Sequence, residues 1–77
     1  MYQITIIFKD SKSTPVQCYM DKDESRKFLD QCYEVFSDEL EDRTIELSAK
    51  DEEGLFETML LRSSEILYVK SRKVSDE

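Results

Sequence analysis

Apolar and polar side chains alternate along the first twenty residues of the chain. In the segment 2–9, YQITIIFK, every even position is apolar or aromatic, whereas Ile7 is the one apolar residue at an odd position, and β-branched and aromatic residues dominate, as they do in strands. The segment 10–15, DSKSTP, is typical of a turn because its small polar side chains compete for backbone hydrogen bonds and Pro15 fixes its own φ. Alternation resumes in the segment 16–20, VQCYM. The pattern predicts an N-terminal β-hairpin.

From residue 22 to residue 40 the apolar positions change to spacings of three and four, which mark one face of a helix. Asp21 is placed to cap the first turn, and Glu24 suits the second half of a capping box. No Gly or Pro interrupts the run. The apolar stripe consists of Phe28, Leu29, Cys32, Val35, Phe36 and Leu40. We therefore predict a helix over residues 22–40.

Alternation with a period of two returns in three later segments, 44–49, 55–62 and 66–73. Gly54, the only glycine in the sequence, can supply the positive φ that ends a hairpin loop, and the polar segment 63–65 indicates another turn. The last two strands are expected to form a C-terminal hairpin. The element order β-β-α-β-β-β predicts an α+β fold, a two-layer sandwich in which one long helix packs on a mostly antiparallel sheet. The pattern leaves the order of the strands within the sheet open.

The length of 77 residues predicts a single domain over 1–77, with residues 74–77 frayed. Charged residues make up 38% of the chain and apolar residues 39%, a mixture too apolar and too periodic for a disordered segment. No stretch approaches the roughly 20 apolar residues of a membrane span. The N-terminal segment lacks the basic start and cleavage site of a signal peptide. We therefore expect a cytoplasmic protein that does not bind membranes.

The residues that carry most enzyme chemistry are scarce in this chain. It has no histidine, so it lacks the usual general base and the commonest transition-metal ligand, and one glycine is too few for a phosphate-binding loop. Cys18 and Cys32 lack the spacing of a zinc site, and each falls on the apolar face of its own element. We interpret both as small buried side chains. The sequence predicts a non-enzymatic protein with no catalytic residue, cofactor or metal site.

The charge of the chain is strongly negative and unevenly spread. The net charge is −7; residues 21–57 hold fourteen acids and five bases, whereas residues 58–73 hold one acid and four bases. Phosphate binding needs clustered Lys and Arg, so this balance argues against nucleic acid as a direct partner.

Both faces of the last two predicted strands are apolar, although a single helix covers only one face of a sheet. Whichever set of side chains is left outside forms a patch, and contiguous apolar patches of several hundred Å² mark interfaces. The candidate residues for this sheet-face interface are Ile7, Tyr19, Phe56, Leu60, Leu67 and Val69. The pattern predicts a small acidic protein-interaction or regulatory module that acts as a homodimer or through a protein partner.

An acidic stripe on the predicted helix suggests an alternative function. Asp30, Glu34 and Asp38 recur every four residues, and Asp42 continues the row if the helix extends that far. Like charges at this spacing repel by a few tenths of a kcal/mol, and a spacing of about 6 Å approximates that of phosphates along one nucleic-acid strand. In size and charge the chain resembles the broad class of small acidic proteins, many from phages, that occupy DNA-binding sites on other proteins. The alternative is an acidic nucleic-acid mimic that blocks a DNA- or RNA-binding protein, although a solvated helix surface is the simpler interpretation.

Overall fold

The computed structural model describes residues 1–38 and 42–75. Within these residues the chain forms five strands, one α-helix and a short 3₁₀ turn. They are β1 (Tyr2–Phe8), β2 (Val16–Met20), α1 (Lys22–Phe36), β3 (Thr44–Lys50), β4 (Phe56–Arg62), the 3₁₀ turn (Ser63–Glu65) and β5 (Ile66–Lys73). Every strand pair is antiparallel, and α1 packs on one side of the sheet. The α+β fold and the predicted order of elements are confirmed.

The helix begins as predicted and ends earlier. Asp21 caps it, because its carboxylate accepts a hydrogen bond of 2.8 Å from the Glu24 N–H. At the other end the hydroxyl and the N–H of Ser37 both donate to the Tyr33 carbonyl, at 2.6 and 3.1 Å. Serine competes for backbone groups in this way and favours helix ends. The predicted helix over residues 22–40 is therefore too long, and Leu40 lies outside the described residues.

The two hairpins predicted before the C-terminal one are confirmed. β1 pairs with β2, and β3 pairs with β4. In the second hairpin Gly54 takes a φ of +83°, which favours glycine. Asp51 holds this loop together: its carboxylate accepts hydrogen bonds of 2.9 Å from the N–H groups of Glu53 and Leu55, and its carbonyl accepts from Gly54.

The sheet order is β4-β3-β2-β1-β5, so the last two strands lie at opposite edges and the predicted C-terminal hairpin is wrong. Neighbouring strands are about 4.8 Å apart, so a flat sheet would separate these edges by about 19 Å. The step from Arg62 to Ile66 spans at most about 14 Å, even when fully extended. The sheet must therefore curl, so that its two edges approach each other at the 3₁₀ turn.

Hydrogen bonds on both sides of the 3₁₀ turn hold this curled end. The Ser63 N–H donates to the Arg43 carbonyl at 2.8 Å, just before β3 begins. The Lys9 N–H donates to the Glu65 carbonyl at 2.9 Å, just after β1 ends. The turn therefore closes the gap between two strands that are not neighbours in the sheet.

The core lies between the inner side of this curled sheet and α1. Its buried apolar members are Ile4, Ile6, Cys18, Met20, Ile45, Leu47, Ala49, Leu61 and Ile66 from the strands, and Phe28, Cys32 and Val35 from the helix. Where the helix meets β5, the hydroxyls of Ser25 and Ser71 share a hydrogen bond of 2.9 Å, which provides the partner that the buried Ser25 needs.

Candidate functional site

The register of β4 decides which of its side chains remain exposed. Leu61 is buried, and Met59 packs against the core. Phe56 and Leu60, on the other face, are 67% and 72% exposed, and Leu55 just before the strand is 59% exposed. We refer to Leu55, Phe56 and Leu60 as the β4 cluster. Phe56 and Leu60, two of the predicted interface residues, thus lie exposed on the outer face of β4, and Leu55 is exposed just before the strand.

A β-bulge changes the prediction for β5. Ile66 pairs with Phe8 and Tyr68 pairs with Ile7, so Leu67 is an extra residue between them. The bulge lets Ile66 and Val69 both face the core, although strict alternation would place them on opposite faces. The expectation that Val69 faces outward is therefore wrong. Leu67 is 59% exposed, as predicted for an outer residue.

The remaining sheet-face candidates lie away from the β4 cluster. Ile7 and Tyr19 are half-buried on the outer face of β1 and β2, and the Tyr19 hydroxyl accepts a hydrogen bond of 3.3 Å from Gln3. The exposed polar side chains of β3 separate them from β4, namely Glu46, Ser48 and Lys50. The predicted patch is therefore two separate groups. Its most exposed residues lie on the two edge strands, with Phe56 and Leu60 on β4 and Leu67 on β5.

β4 is also an edge strand, which the sequence did not indicate. Among residues 1–38 and 42–75, no strand pairs with its outer side. It carries only one acid and one base, Glu57 and Arg62. β5, at the opposite edge, carries three basic residues. Lysine and other charged side chains on an edge discourage further pairing, so β4 is the less protected of the two edges.

The acidic candidates do not form one continuous row on the helix. Asp30 and Glu34 lie exposed on α1, and the Arg26 Nε is 3.9 Å from the Asp30 carboxylate. Asp38 lies beyond the end of the helix, where its carboxylate accepts a hydrogen bond of 3.0 Å from Arg43. Half of the predicted stripe therefore remains on the helix.

The fourth member of the stripe, Asp42, holds the 3₁₀ turn. Its carboxylate accepts hydrogen bonds from the Ser64 N–H at 3.1 Å and from the Ser63 hydroxyl at 3.4 Å, and it lies 3.6 Å from the Arg62 guanidinium. The hydrogen bonds from Ser64, assisted by Arg62 and Ser63, lower the pKa of Asp42 from its ordinary value of 3.8. These contacts give Asp42 a structural role at the end of the curled sheet.

The two cysteines are buried in the core, and open clefts lie beside α1. Burial raises the pKa of Cys18 and of Cys32 to about 11, so either thiol is almost entirely protonated near neutral pH. The clefts beside α1 are shallow; one is lined by Met20 and Phe28 with polar neighbours on β3. Among the described residues, no three acidic or thiol side chains lie together as a metal site would need, and no helix is long and apolar enough to cross a membrane.

A scan of the chain against protein-family models found no match, and searches of curated proteins and of solved structures likewise found none. The exposed edge of β4 with its apolar cluster is the feature of the fold that most resembles a binding site. Sequence reasoning identified Phe56 and Leu60 but missed the edge itself, because the strand order depends on contacts between residues far apart in the sequence.

Proposed function

We propose that this protein is a small non-enzymatic protein-interaction or regulatory module that binds a polypeptide, either a second copy or another protein, through β4. The observation that carries the proposal is a sheet edge with which no other strand of the described residues pairs, flanked by the three exposed apolar side chains Leu55, Phe56 and Leu60. An exposed edge is a template for a further strand, and main-chain hydrogen bonds with side-chain contacts then supply affinity and specificity.

The energetics of the β4 cluster favour a partner that covers it fully. Burying one large apolar side chain contributes about 1.5 to 3 kcal/mol, so covering three that are about two-thirds exposed contributes roughly 3 to 6 kcal/mol. Association itself costs at least about 4 kcal/mol. The cluster on one copy therefore supports only weak binding unless the partner adds apolar surface of its own.

The acidic nucleic-acid mimic has less support. Asp38 and Asp42 are engaged with Arg43 and with the 3₁₀ turn, which leaves Asp30 and Glu34 as the exposed acids of the stripe on α1. Two carboxylates one turn apart are ordinary for a solvated helix surface.

The test replaces two members of the cluster with threonine, Phe56→Thr and Leu60→Thr, because threonine is polar but retains a β-branched side chain suited to a strand. The matched control is Tyr33→Gln, since Tyr33 is similarly exposed, at 76%, but lies on α1. Each tagged chain is cross-linked in source cells, and the attached polypeptides, including the chain itself, are identified by mass spectrometry. We expect the wild type and the control to retain the same polypeptide and the double variant to lose it. Equal retention by all three would refute binding through β4, as would a wild type that captures nothing and stays monomeric at high concentration.

A further inference from the structure

We infer that the polypeptide that pairs with β4 is a second copy of this chain, in an antiparallel arrangement with its two-fold axis at Thr58. The inference rests on the proposed function and adds the identity of the partner and the register. An axis at Thr58 places Phe56 of each copy opposite Leu60 of the other, and Glu57 opposite Met59. The two copies would then share one continuous sheet.

The outer face of β4 is self-complementary in this register. Phe56, Thr58 and Leu60 lie opposite Lys50, Ser48 and Glu46 of β3, so the three share one face. Pairing about Thr58 therefore creates two facing Phe–Leu pairs on that face, one on each side of the axis. Aromatic and aliphatic side chains that face each other across strands are favourable pairs. A second copy also brings two β4 clusters into contact in a single association, whereas an unrelated polar strand would contact one.

The charges along β4 are compatible with self-pairing, although the whole chain has a net charge of −7. The strand itself carries one acid and one base, Glu57 and Arg62, so two copies meet without a net charge along the seam. In the same register Arg62 of each copy, which also lies 3.6 Å from Asp42 of its own chain, is opposite the turn at Gly54, which carries the exposed Glu52 and Glu53. Opposite charges therefore meet at both ends of the paired strands.

Disulfide formation tests the register directly. Facing residues of an antiparallel pair have Cα atoms about 4.5 to 5.5 Å apart, within the range of about 4.4 to 6.8 Å that a disulfide accepts. Thr58→Cys is therefore expected to form a covalent dimer of twice 9.1 kDa under mild oxidation. The native Cys18 and Cys32 are buried, which keeps the background reaction slow.

The matched control is Ser48→Cys. Ser48 lies on the same face, with its hydroxyl 2.9 Å from that of Thr58, and it is also exposed. It lies one strand further from the axis in each copy, so the two introduced thiols would be about 14 Å apart, too far for a disulfide. This variant is expected to remain monomeric on denaturing gels, which separates specific pairing from random collision.

Light scattering of the wild type gives a second readout that needs no cysteine. We expect a dimer that dissociates on dilution, with a Kd at least about a hundredfold higher in the Phe56→Thr and Leu60→Thr double variant. The inference would be overturned if the wild type were monomeric and Thr58→Cys formed no covalent dimer. If the double variant then lost a different cellular partner, the proposed function would still stand. If the double variant lost neither a dimer nor a cellular partner relative to the wild type, both the inference and the proposed function would be overturned. Cross-linking of Ser48→Cys as efficient as that of Thr58→Cys, or particles larger than a dimer, would contradict the two-fold pairing.

Discussion

Leu60 and Leu61 are chemically identical neighbours on β4, and the structure predicts opposite consequences of truncating them. Leu61 is 7% exposed and lies opposite Ile45, whereas Leu60 is 72% exposed. Truncation of a buried leucine to alanine removes its transfer free energy and leaves a cavity, which together cost about 2 to 5 kcal/mol. Because an edge strand can relax more than a central one, we expect Leu61→Ala to lose about 2 to 3 kcal/mol. Leu60→Ala removes much less buried area and should lose about 0.5 kcal/mol.

Urea unfolding followed by far-UV circular dichroism measures both values. A domain of this length has a total stability of about 4 to 12 kcal/mol, so the loss in Leu61→Ala is a large share of it. The same variant should melt roughly 10 to 20 °C below the wild type. The measurement is made at two protein concentrations, because Leu60 also belongs to the proposed dimer contact and its effect on the dimer depends on concentration whereas its effect on the monomer does not.

Comparable losses in the two variants, or a larger loss in Leu60→Ala, would refute the assigned register. A slip of β4 by one residue exchanges its two faces, so it would bury Leu60 and expose Leu61. Phe56 and Leu60 would then be part of the core, and the proposed interface would lose its basis.

Two further predictions test the loops that hold the curled sheet. Asp42→Asn should lower the free energy of unfolding at neutral pH: the folded-state pKa of Asp42 is lowered from 3.8, so the stability it adds is present above that value and is lost as the pH falls through the folded-state pKa. Urea unfolding across this acidic range should therefore show the difference from the wild type shrinking, and a constant difference would contradict the role of the carboxylate charge. Gly54→Ala should lower the free energy of unfolding by about 1 kcal/mol, measured in a thermal or urea melt, because Gly54 has a φ of +83°, which alanine adopts at a cost. The new methyl group adds no steric clash, since it would meet nothing within 4 Å. No measurable loss would mean that the hairpin loop does not require the left-handed conformation.

The sequence predicts those elements whose signals are local. The cap at Asp21, the glycine at position 54 and the alternation along the strands each act over a few residues, and the structure has them as expected. The predicted end of the helix is too late because Leu40 continues the apolar spacing. In the structure the Ser37 hydroxyl donates a hydrogen bond to the Tyr33 carbonyl, and the helix ends there. Spacing alone gives no measure of that competition.

The arrangement of the last two strands could not be predicted, because it depends on contacts across the whole chain. A polar turn of three residues between two apolar strands has the sequence of a hairpin. In the structure, however, the Ser63 N–H donates to the Arg43 carbonyl beside β3, and the Glu65 carbonyl accepts from the Lys9 N–H beside β1. The bulge at Leu67 follows from the pairing of β5 with β1, and it alone turns Val69 toward the core. Two of the three residues of the β4 cluster, Phe56 and Leu60, were therefore predictable from alternation, and the free edge of β4 was not.

The two edges of the sheet together explain why pairing through β4 would stop at two copies. A head-to-tail contact of β4 with β5 would leave one edge free on each new copy and would therefore propagate or close into a ring. β5 carries three basic residues, and β4 carries one acid, Glu57, and one base, Arg62, so the charges of the two strands complement each other poorly. Two-fold pairing of β4 with itself uses both apolar edges and leaves only the two basic edges exposed. In the proposed dimer the basic residues of β5 would thus limit growth, while the excess of acid elsewhere would keep the assembly soluble.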